Sequence, residues 1–251
     1  MTTGDYAPVN GLKMYYEVHG SGRPLVLLHG GLHTIPLTFA PILPRLAAGR
    51  QVIALEFQGH GRTGDIDRAM TLPNFAGDVV ALLDHLGLER ADLFGFSLGG
   101  LVALEVATSR PERVDRLVLA STHYRADGYY DDVRDPALFA TSSRMPTEAD
   151  FAEMAAEYTL LAPEPERFDA VAAKLTAAVQ GMPGWTADAL RTVDAETLLV
   201  VGDHDFVRLE HAAEMLDLIP HAQLAVLPGA THAHVMRRAE LVVPMVEEFL
   251  G

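Results

Sequence analysis

Short apolar runs alternate with longer helical patterns along most of the chain. Several of the runs are apolar almost throughout, which is typical of strands covered on both faces. We predict strands at 12–18, 24–29, 51–56, 91–96, 116–121, 197–202 and 222–227. We predict helices at 36–48, 73–87, 98–109, 207–219 and 234–250. This alternation predicts an α/β fold with a mostly parallel sheet and helices on both faces.

The alternation breaks between residues 123 and 190. This stretch is rich in Ala, Met, Glu and Asp, and prolines divide it into short amphipathic segments. The pattern predicts several short helices inserted after a strand, as in a lid. The predicted organisation is a first core part at 1–122, a helical lid or cap at 123–190 and a second core part at 191–251.

Composition narrows the class of protein. A chain of 251 residues with 49% hydrophobic types suits one globular domain with an insertion. The net charge of −15 argues against nucleic-acid binding and against an anionic membrane surface. The absence of cysteine excludes disulfides, thiolate nucleophiles and Cys-based metal sites.

The sequence contains no recognisable targeting segment. The N-terminus lacks the basic start and apolar stretch of a signal peptide. No apolar run reaches the roughly 18–20 residues that would span a bilayer. A soluble, cytoplasmic protein is expected, and a homodimer is left open.

One apolar run continues into the sequence GFSLGG, which leads into a helical pattern. Either the glycines only let the helix pack closely on the sheet, or they hold Ser97 in a tight turn as a nucleophile. A serine at such a turn is strained, and small residues at Gly95 and Gly99 relieve the collision between its neighbours. The turn would also direct the Leu98 N–H toward a negative charge that develops nearby. The pentapeptide alone leaves both interpretations open.

Two later strand ends carry the partners that a serine nucleophile needs. A serine hydroxyl is a poor nucleophile without a base, and the base needs an acid to orient it. The sixth predicted strand continues into DHDFV, with Asp203 and Asp205, and the seventh into PGATHAH, with His232 and His234. Reactive groups of an open α/β sheet lie at the carboxyl ends of its strands. The order serine, aspartate, histidine therefore favours the catalytic interpretation of Ser97.

These motifs resemble those of the α/β-hydrolase family, in its lidded serine esterase-like branch. The matching pieces are LLHGG, GHGRT, GFSLGG, RPERVDRLVLAS, LLVVGDHD and LPGATH. They extend from about Asn10 to Leu250, and the resemblance is weak only in the lid. It implies an α/β-hydrolase fold with a helical lid insertion.

The resemblance implies a role for three of the side chains. In such enzymes the acid lies three residues after the glycine that ends its strand, which is the position of Asp205. Asp203 would then be a structural carboxylate. The pattern PGxxH places the base at His232 and makes His234 a loop residue. The implied catalytic triad is Ser97, Asp205 and His232.

The resemblance also implies an oxyanion hole formed by two backbone N–H groups. One belongs to Leu98, directly after the serine, and the other to Gly31, in the HGG sequence after the second predicted strand. Leu32 is the alternative to Gly31, and a flexible turn is the alternative to an oxyanion site. His60, in the GHG sequence, is interpreted as a structural residue.

The sequence departs from the family before GHG. Glu56, Phe57 and Gln58 stand where an acid, a variable residue and an arginine are common, so the pairing of the acid is left open. The histidines form no H-x-H-x-D-H or H-E-x-x-H array, although the histidines and aspartates after the last two strands could make a mixed site. Neither a metal nor a cofactor is expected.

The predicted reaction is hydrolysis of a carboxylic ester, or secondarily a lactone, of a small to medium apolar substrate through an acyl-enzyme. The candidate substrate-binding residues of the lid are Tyr124, Tyr129, Met154 and Trp185, although most such side chains only pack on the core. The alternatives are a carbon–carbon bond hydrolase or a perhydrolase on the same triad, a cofactor-free oxygenase, and a receptor without turnover. The natural substrate is left open.

Overall fold

The computed structural model describes residues 3–139 and 141–251, and its centre is one twisted sheet. The strands in chain order are β1 Thr3–Val9, β2 Leu12–His19, β3 Arg23–Leu28, β4 Arg50–Leu55, β5 Ala91–Phe96, β6 Val114–Ala120, β7 Glu196–His204 and β8 Ala222–Thr231. Their order across the sheet is β1-β2-β4-β3-β5-β6-β7-β8. Pairing is antiparallel between β1 and β2 and between β2 and β4, and parallel from β4 onward. The prediction of a mostly parallel sheet is confirmed.

Helices cover both faces of this sheet. They are α1 Ile35–Phe39, α2 Leu43–Leu46, α3 Leu72–His85, α4 Leu98–Ser109, α5 Asp131–Arg134, α6 Pro136–Phe139, α7 Glu148–Leu161, α8 Phe168–Gln180, α9 Ala187–Arg191, α10 Leu209–Leu218 and α11 Ala239–Leu250. Buried side chains of α3, α4 and α10 form one core with one face of the sheet. Those of α1, α2 and α11 form a second core with the opposite face. The predicted helices on both faces are therefore present.

Strand β1 is absent from the sequence prediction. Its sequence, TGDYAPV, combines Gly, Asp and Pro, which have low strand propensity, and it lies at the edge of the sheet, where proline is tolerated. Asn10 and Gly11 connect β1 to β2 with φ angles of 48° and 84°. Left-handed residues at both central positions make a tight hairpin turn, for which Asn-Gly is the preferred pair. That dipeptide was the available signal for an additional strand.

Two predicted helices are shorter than their sequence patterns. The stretch 36–48 forms α1 and α2 instead of one helix, because Pro41 and Pro44 interrupt the backbone hydrogen bonds. The helix predicted at 234–250 starts later in the structure. A 3-10 turn occupies His232–His234, and the regular helix α11 starts only at Ala239. The late start leaves the residues after β8 free to form part of the site.

The inserted segment, residues 123–190, connects β6 to β7 and contains α5 to α8 and most of α9. Two backbone hydrogen bonds join its beginning to the loop after β7. Tyr130 N–H donates to the Phe206 carbonyl over 3.1 Å, and Arg208 N–H donates to the Gly128 carbonyl over 2.8 Å. Among the helices of the described residues, none combines the length and the apolar character needed to cross a membrane.

Substitution of Gly99 by alanine tests how closely α4 packs on the sheet. A Cβ atom at Gly99 would overlap the backbone carbonyls of Leu28 and His29, so we expect Gly99→Ala to lower the free energy of unfolding by more than about 2 kcal/mol. Gly49 is the matched control, because a Cβ atom there meets nothing within 4 Å. We expect Gly49→Ala to be neutral or slightly stabilising. Urea unfolding measures both, and equal effects would contradict the close packing.

Candidate active site

Ser97 lies at the sharp turn between β5 and α4. Its backbone has φ 53° and ψ −116°, a conformation that L-residues rarely adopt, and its N–H donates to the Ala120 carbonyl over 2.9 Å. A Cβ atom at Gly95 would overlap the backbone of Gly99, and one at Gly99 would overlap the Leu28 carbonyl. The glycines therefore allow the close approach of helix and sheet, and the turn holds the serine in its strained conformation. The two interpretations of GFSLGG describe one geometry.

A continuous chain of hydrogen bonds links Ser97 to two residues that are distant in the sequence. The Oγ of Ser97 lies 2.9 Å from Nε2 of His232. The Nδ1 of His232 lies 2.8 Å from Oδ1 of Asp205. An ionised carboxylate only accepts hydrogen bonds, so Nδ1 carries the proton and Nε2 is free to accept from the serine hydroxyl. The structure thus brings together the three residues predicted as a triad.

Asp205 is fully buried, yet its surroundings favour the ionised form. Burial acts to raise the pKa of Asp205, but His232, the Ser121 hydroxyl and the Val207 N–H outweigh it and hold the pKa below its usual value. The Ser121 hydroxyl donates to Oδ2 over 2.5 Å, and the Val207 N–H donates to Oδ1 over 3.1 Å. Each hydrogen bond to a carboxylate stabilises its charge.

Ser121 is a site residue that sequence reasoning missed. No role is assigned to its hydroxyl from the sequence. Ser121 has φ 53°, and its N–H donates to the Val200 carbonyl over 2.7 Å, so its backbone is fixed against β7. The signal was its place at the carboxyl end of a strand adjacent to the strand that carries Asp205.

Packing also fixes the imidazole of His232. The ring of Phe206 stacks on it with centroids 3.6 Å apart and planes 21° apart. The ring of Phe96 lies 5.1 Å away. Phe206 directly follows Asp205 in the sequence, so one loop supplies both the carboxylate and an aromatic surface for the imidazole.

The two alternative residues have other partners. The Asp203 carboxylate accepts a hydrogen bond from the Ala230 N–H over 3.2 Å and so joins the ends of β7 and β8. His234 is exposed, and its Nδ1 lies 2.9 Å from the Thr231 hydroxyl. Within the described residues, no group of three or more His, Asp or Glu side chains has the arrangement of a metal site. The mixed site of histidines and aspartates therefore finds no support in the geometry.

The two residues predicted for the oxyanion hole are neighbours. A Cβ atom at Gly31 would lie 3.9 Å from the Cβ atom of Leu98, so the two residues lie close together. Leu98 is the first residue of α4, and the N–H of such a residue has no acceptor within its helix. Leu32, the alternative donor, has φ 59°, which turns the chain sharply directly after Gly31.

His29 and His60 support the loop behind this opening. The Nδ1–H of His29 donates to the Gly30 carbonyl over 2.7 Å, and its Nε2 accepts from the Phe57 N–H over 3.2 Å. The Nδ1–H of His60 donates to the Gln58 carbonyl over 2.9 Å. Both rings are buried with centroids 5.0 Å apart, and within the described residues Nε2 of His60 has no hydrogen-bond partner. This arrangement is that of structural residues.

Glu56, the acid before the GHG sequence, has an arginine partner from a later position in the chain. Glu56 is buried and pairs with the Arg62 guanidinium over 2.9 Å. Gln58, where an arginine is common, instead accepts from Arg68, which forms an ion pair with Asp78 over 2.6 Å. The pairing that the sequence left open therefore exists through arginines further along the loop.

A cavity of about 450 Å³ opens beside the hydrogen-bonded residues, between the sheet and the inserted segment. Gly31 and Phe206 border it, and the Phe206 ring stacks on the imidazole of His232. Its walls are largely apolar, with leucine, valine, methionine and aromatic side chains. Of the four predicted substrate-binding residues, three line it, namely Tyr124, Tyr129 and Trp185.

Met154 lies elsewhere. It borders a separate small cleft next to His33, Phe96 and Arg237 and is 7% exposed. Helix α7 presents this side chain to the core instead of to the cavity. The sequence pattern could not separate the two, because a methionine that packs on a core and one that lines a cavity look alike.

Comparison with known proteins agrees with this geometry. The model of the alpha/beta hydrolase family matches residues 25–244, from β3 into α11. The chain belongs to the alpha/beta hydrolase family. As in the prediction from its motifs, the match includes the serine turn and the loops that carry Asp205 and His232.

Individual members of the alpha/beta hydrolase family resemble the chain at moderate identity. A protein of Azorhizobium caulinodans named "Putative carbamate hydrolase RutD" is 36% identical over 124 residues, which are 49% of this chain and 46% of that protein. The match thus spans about half the length of that relative. A protein of the same name from Variovorax paradoxus is 30% identical over 96% of this chain and 97% of its own. The crystal structure of CarC, a serine hydrolase involved in carbazole degradation, has a TM-score of 0.83 at 23% identity and covers 100% of this chain and 99% of its own.

Four buried histidines around the site predict a loss of stability in acid. Burial lowers the pKa of His29 well below its usual value, that of His60 and His211 to about 4 and that of His123 to about 3. In the unfolded chain these histidines have pKa values of about 6.5, so they bind protons at pH values at which the buried histidines of the folded protein stay neutral. Stability is therefore fully present above about pH 6.5 and is lost as the pH falls toward 4. We expect the free energy of unfolding to decrease by a few kcal/mol between pH 7 and pH 5, measured with urea.

Glu56 has the opposite effect on the pH dependence of stability, so its replacement tests this prediction. Burial raises the pKa of Glu56 to about 7, so its protonation favours the folded protein as the pH falls below 7. Glu56→Gln should make the free energy of unfolding decrease more steeply between pH 7 and pH 5. His60→Gln should make the decrease shallower. The exposed His221 is the control, and His221→Gln should leave the slope unchanged. A free energy of unfolding that stays constant from pH 7 to pH 5 would contradict the prediction.

Proposed function

We propose that this protein is a serine hydrolase that cleaves a carboxylic ester, or secondarily a lactone, of a small to medium apolar substrate. The observation that carries the proposal is the chain of hydrogen bonds from Ser97 through His232 to Asp205, with distances of 2.9 Å and 2.8 Å. In this proposal the inserted segment serves as a cap over the site.

Acylation begins at the serine. The Ser97 hydroxyl attacks the carbonyl carbon while Nε2 of His232 takes the hydroxyl proton. Asp205, held ionised by its hydrogen bonds, stabilises the imidazolium and keeps its orientation. The N–H groups of Gly31 and Leu98 donate to the oxyanion of the tetrahedral intermediate, and α4 adds the positive end of its dipole. Collapse of the intermediate releases the alcohol, which takes the proton from His232.

Deacylation repeats the steps with water as the nucleophile. His232 removes a proton from water, and the hydroxide attacks the acyl-enzyme carbonyl. The second tetrahedral intermediate expels Ser97, which regains its proton from His232 as the acid product leaves. All electrons move between these groups, so the mechanism requires no cofactor.

The cavity supports an apolar substrate. Its volume of about 450 Å³ fits a small to medium group, and Leu101, Leu175 and Trp185 belong to its walls. Burial of apolar substrate surface stabilises binding by roughly 25 cal/mol per Å². The walls are therefore better suited to an aliphatic or aromatic group than to a highly charged one.

Replacement of the serine tests the proposal most directly. We expect Ser97→Ala to lower kcat for p-nitrophenyl esters by about 10⁶, as is typical for loss of a triad nucleophile. A fluorophosphonate probe should label the wild-type protein at Ser97 and leave the variant unlabelled. Ester turnover that survives in Ser97→Ala would overturn the proposal.

Ser121→Ala tests the support of the acid. Loss of the 2.5 Å hydrogen bond to Asp205 should lower kcat/KM for an ester by about tenfold, because the carboxylate is held less firmly. Ser109 is a matched control, since it is exposed and its hydroxyl donates only to the Glu105 carbonyl in its own helix. Equal activity of Ser121→Ala and Ser109→Ala in steady-state assays would show that the hydrogen bond does not contribute.

A substrate panel separates the ester hydrolase from the alternatives. The panel contains p-nitrophenyl esters, an aryl lactone, a carbamate and a vinylogous 1,5-diketone, each assayed with wild-type protein and Ser97→Ala. We expect Ser97-dependent turnover to be highest for the esters. Preference for the diketone would indicate carbon–carbon bond hydrolysis, preference for the carbamate would indicate an activity like that named for the RutD relatives, and oxygen consumption would indicate an oxygenase.

A further inference from the structure

His123 is a buried histidine for which the proposed reaction has no use. It lies directly after the β6 loop that carries Ser121, its side chain is largely enclosed, and the residue is 8% exposed. Its ring packs against the Tyr129 ring with centroids 4.2 Å apart. Both residues line the cavity of about 450 Å³.

His123 differs from the other buried histidines because neither of its ring nitrogens takes part in a hydrogen bond within the described residues, whereas each of the others forms at least one. His29 and His60 donate to backbone carbonyls, His211 accepts from the Tyr124 N–H over 3.1 Å, and His232 belongs to the Ser97 chain. In the part of the chain that the structure describes, no hydrogen bond joins a ring nitrogen of His123 to another residue, and the ring borders the cavity. A ligand in the cavity can therefore supply the hydrogen-bond partner of this imidazole.

The Tyr129 hydroxyl is in the same situation. Over the described residues no hydrogen bond involves it, and the residue lines the same cavity. The backbone of Tyr129 is fixed because it pairs with Val207 in an isolated antiparallel bridge to the core. The ring also meets Phe206 edge-on at 5.2 Å. The hydroxyl therefore stands at a defined position in the cavity wall.

We propose that His123 and Tyr129 together bind a hydroxyl group of the substrate in this cavity. This inference rests on the proposed hydrolysis and adds the substrate class, an ester with an apolar body that carries a hydroxyl. The neutral imidazole offers one donor and one acceptor, and the tyrosine hydroxyl offers both, so they match a group that also donates and accepts.

The charges of the surrounding side chains favour a neutral group over a carboxylate. Burial lowers the pKa of His123 to about 3 and raises that of Tyr129 well above its usual value, so both side chains are uncharged at neutral pH. Arg125, at the rim of the cavity, is already paired with Asp127 over 2.6 Å and with Glu214 over 3.0 Å. The ring of Tyr129 contacts both His123 and Phe206, and Phe206 stacks on His232, so successive ring contacts link the hydroxyl site to the imidazole of the Ser97 chain.

The test measures binding without relying on turnover. Trp185 is the single tryptophan of the chain and lines the cavity, so its fluorescence, excited at 295 nm, reports occupancy. The probes are 4-phenyl-2-butanone and its 2-, 3- and 4-hydroxyphenyl analogues, which are ketones and cannot be hydrolysed as esters. For the wild-type protein we expect the best hydroxylated ketone to bind about tenfold more tightly than the plain ketone.

The variants assign that preference to the two residues. His123→Phe and Tyr129→Phe should reduce the ratio of the two dissociation constants to about one, and His123→Gln, which keeps a donor and an acceptor, should restore part of it. A general disturbance of the cavity would weaken both ketones in parallel and leave the ratio unchanged. Tyr129→Phe removes one oxygen atom only, and thermal unfolding checks that each variant is folded. His221→Phe, at an exposed position, should keep the wild-type ratio.

The outcomes separate this inference from the proposed reaction. Equal binding of all four ketones to the wild-type protein, a preference that survives in both phenylalanine variants, or tighter binding of a carboxyphenyl analogue would overturn the role of His123 and Tyr129. If the ketone preference holds but no ester is cleaved in a Ser97-dependent manner, the hydroxyl site stands and the ester hydrolase proposal fails. If esters are cleaved and the preference is absent, only the hydroxyl site fails.

Discussion

The close packing of α4 on the centre of the sheet is the constraint on which the site depends. Gly95 and Gly99 bring the backbone of the helix so near to β3 and β5 that no Cβ atom fits between them. The chain can turn from strand to helix in this space only with Ser97 at a positive φ, which costs about 1–3 kcal/mol of local strain. The same approach places Leu98, the first residue of the helix, close to Gly31. One packing contact therefore positions the serine hydroxyl and both predicted oxyanion donors.

The polarity of the hydrogen-bond chain follows from the hydrogen bonds that the buried carboxylate of Asp205 accepts. A buried carboxyl group without partners would bind a proton and could then donate to the imidazole. Ser121 and Val207 prevent this by donating to the carboxylate, which leaves it as an acceptor. The imidazole of His232 must then carry its proton on Nδ1 and present the lone pair of Nε2 to Ser97. The direction of proton transfer in the proposed reaction is thus decided by hydrogen bonds on the far side of the acid.

The buried histidines show that partners, and not burial, distinguish the roles of one residue type. His29 and His60 have backbone partners and hold the loop near Gly31, and His211 holds the backbone at Tyr124. His232 has a carboxylate on one side and a hydroxyl on the other. His123 has an aromatic neighbour and a cavity. The first three are parts of the fold, whereas the last two are available for chemistry or recognition.

The sequence by itself determined the parallel sheet, the helices on both faces and the three strand ends at which Ser97, Asp205 and His232 lie. It could do so because buried strands and tight turns have strong local signatures, and because the carboxyl ends of parallel strands meet at one edge. Only the tertiary structure decided that Ser121 supports the acid, that His123 faces the cavity and that Met154 does not. Those outcomes depend on strand neighbours and on which side of a helix or loop meets the core, and contacts between residues far apart in the chain leave no pattern in the local sequence.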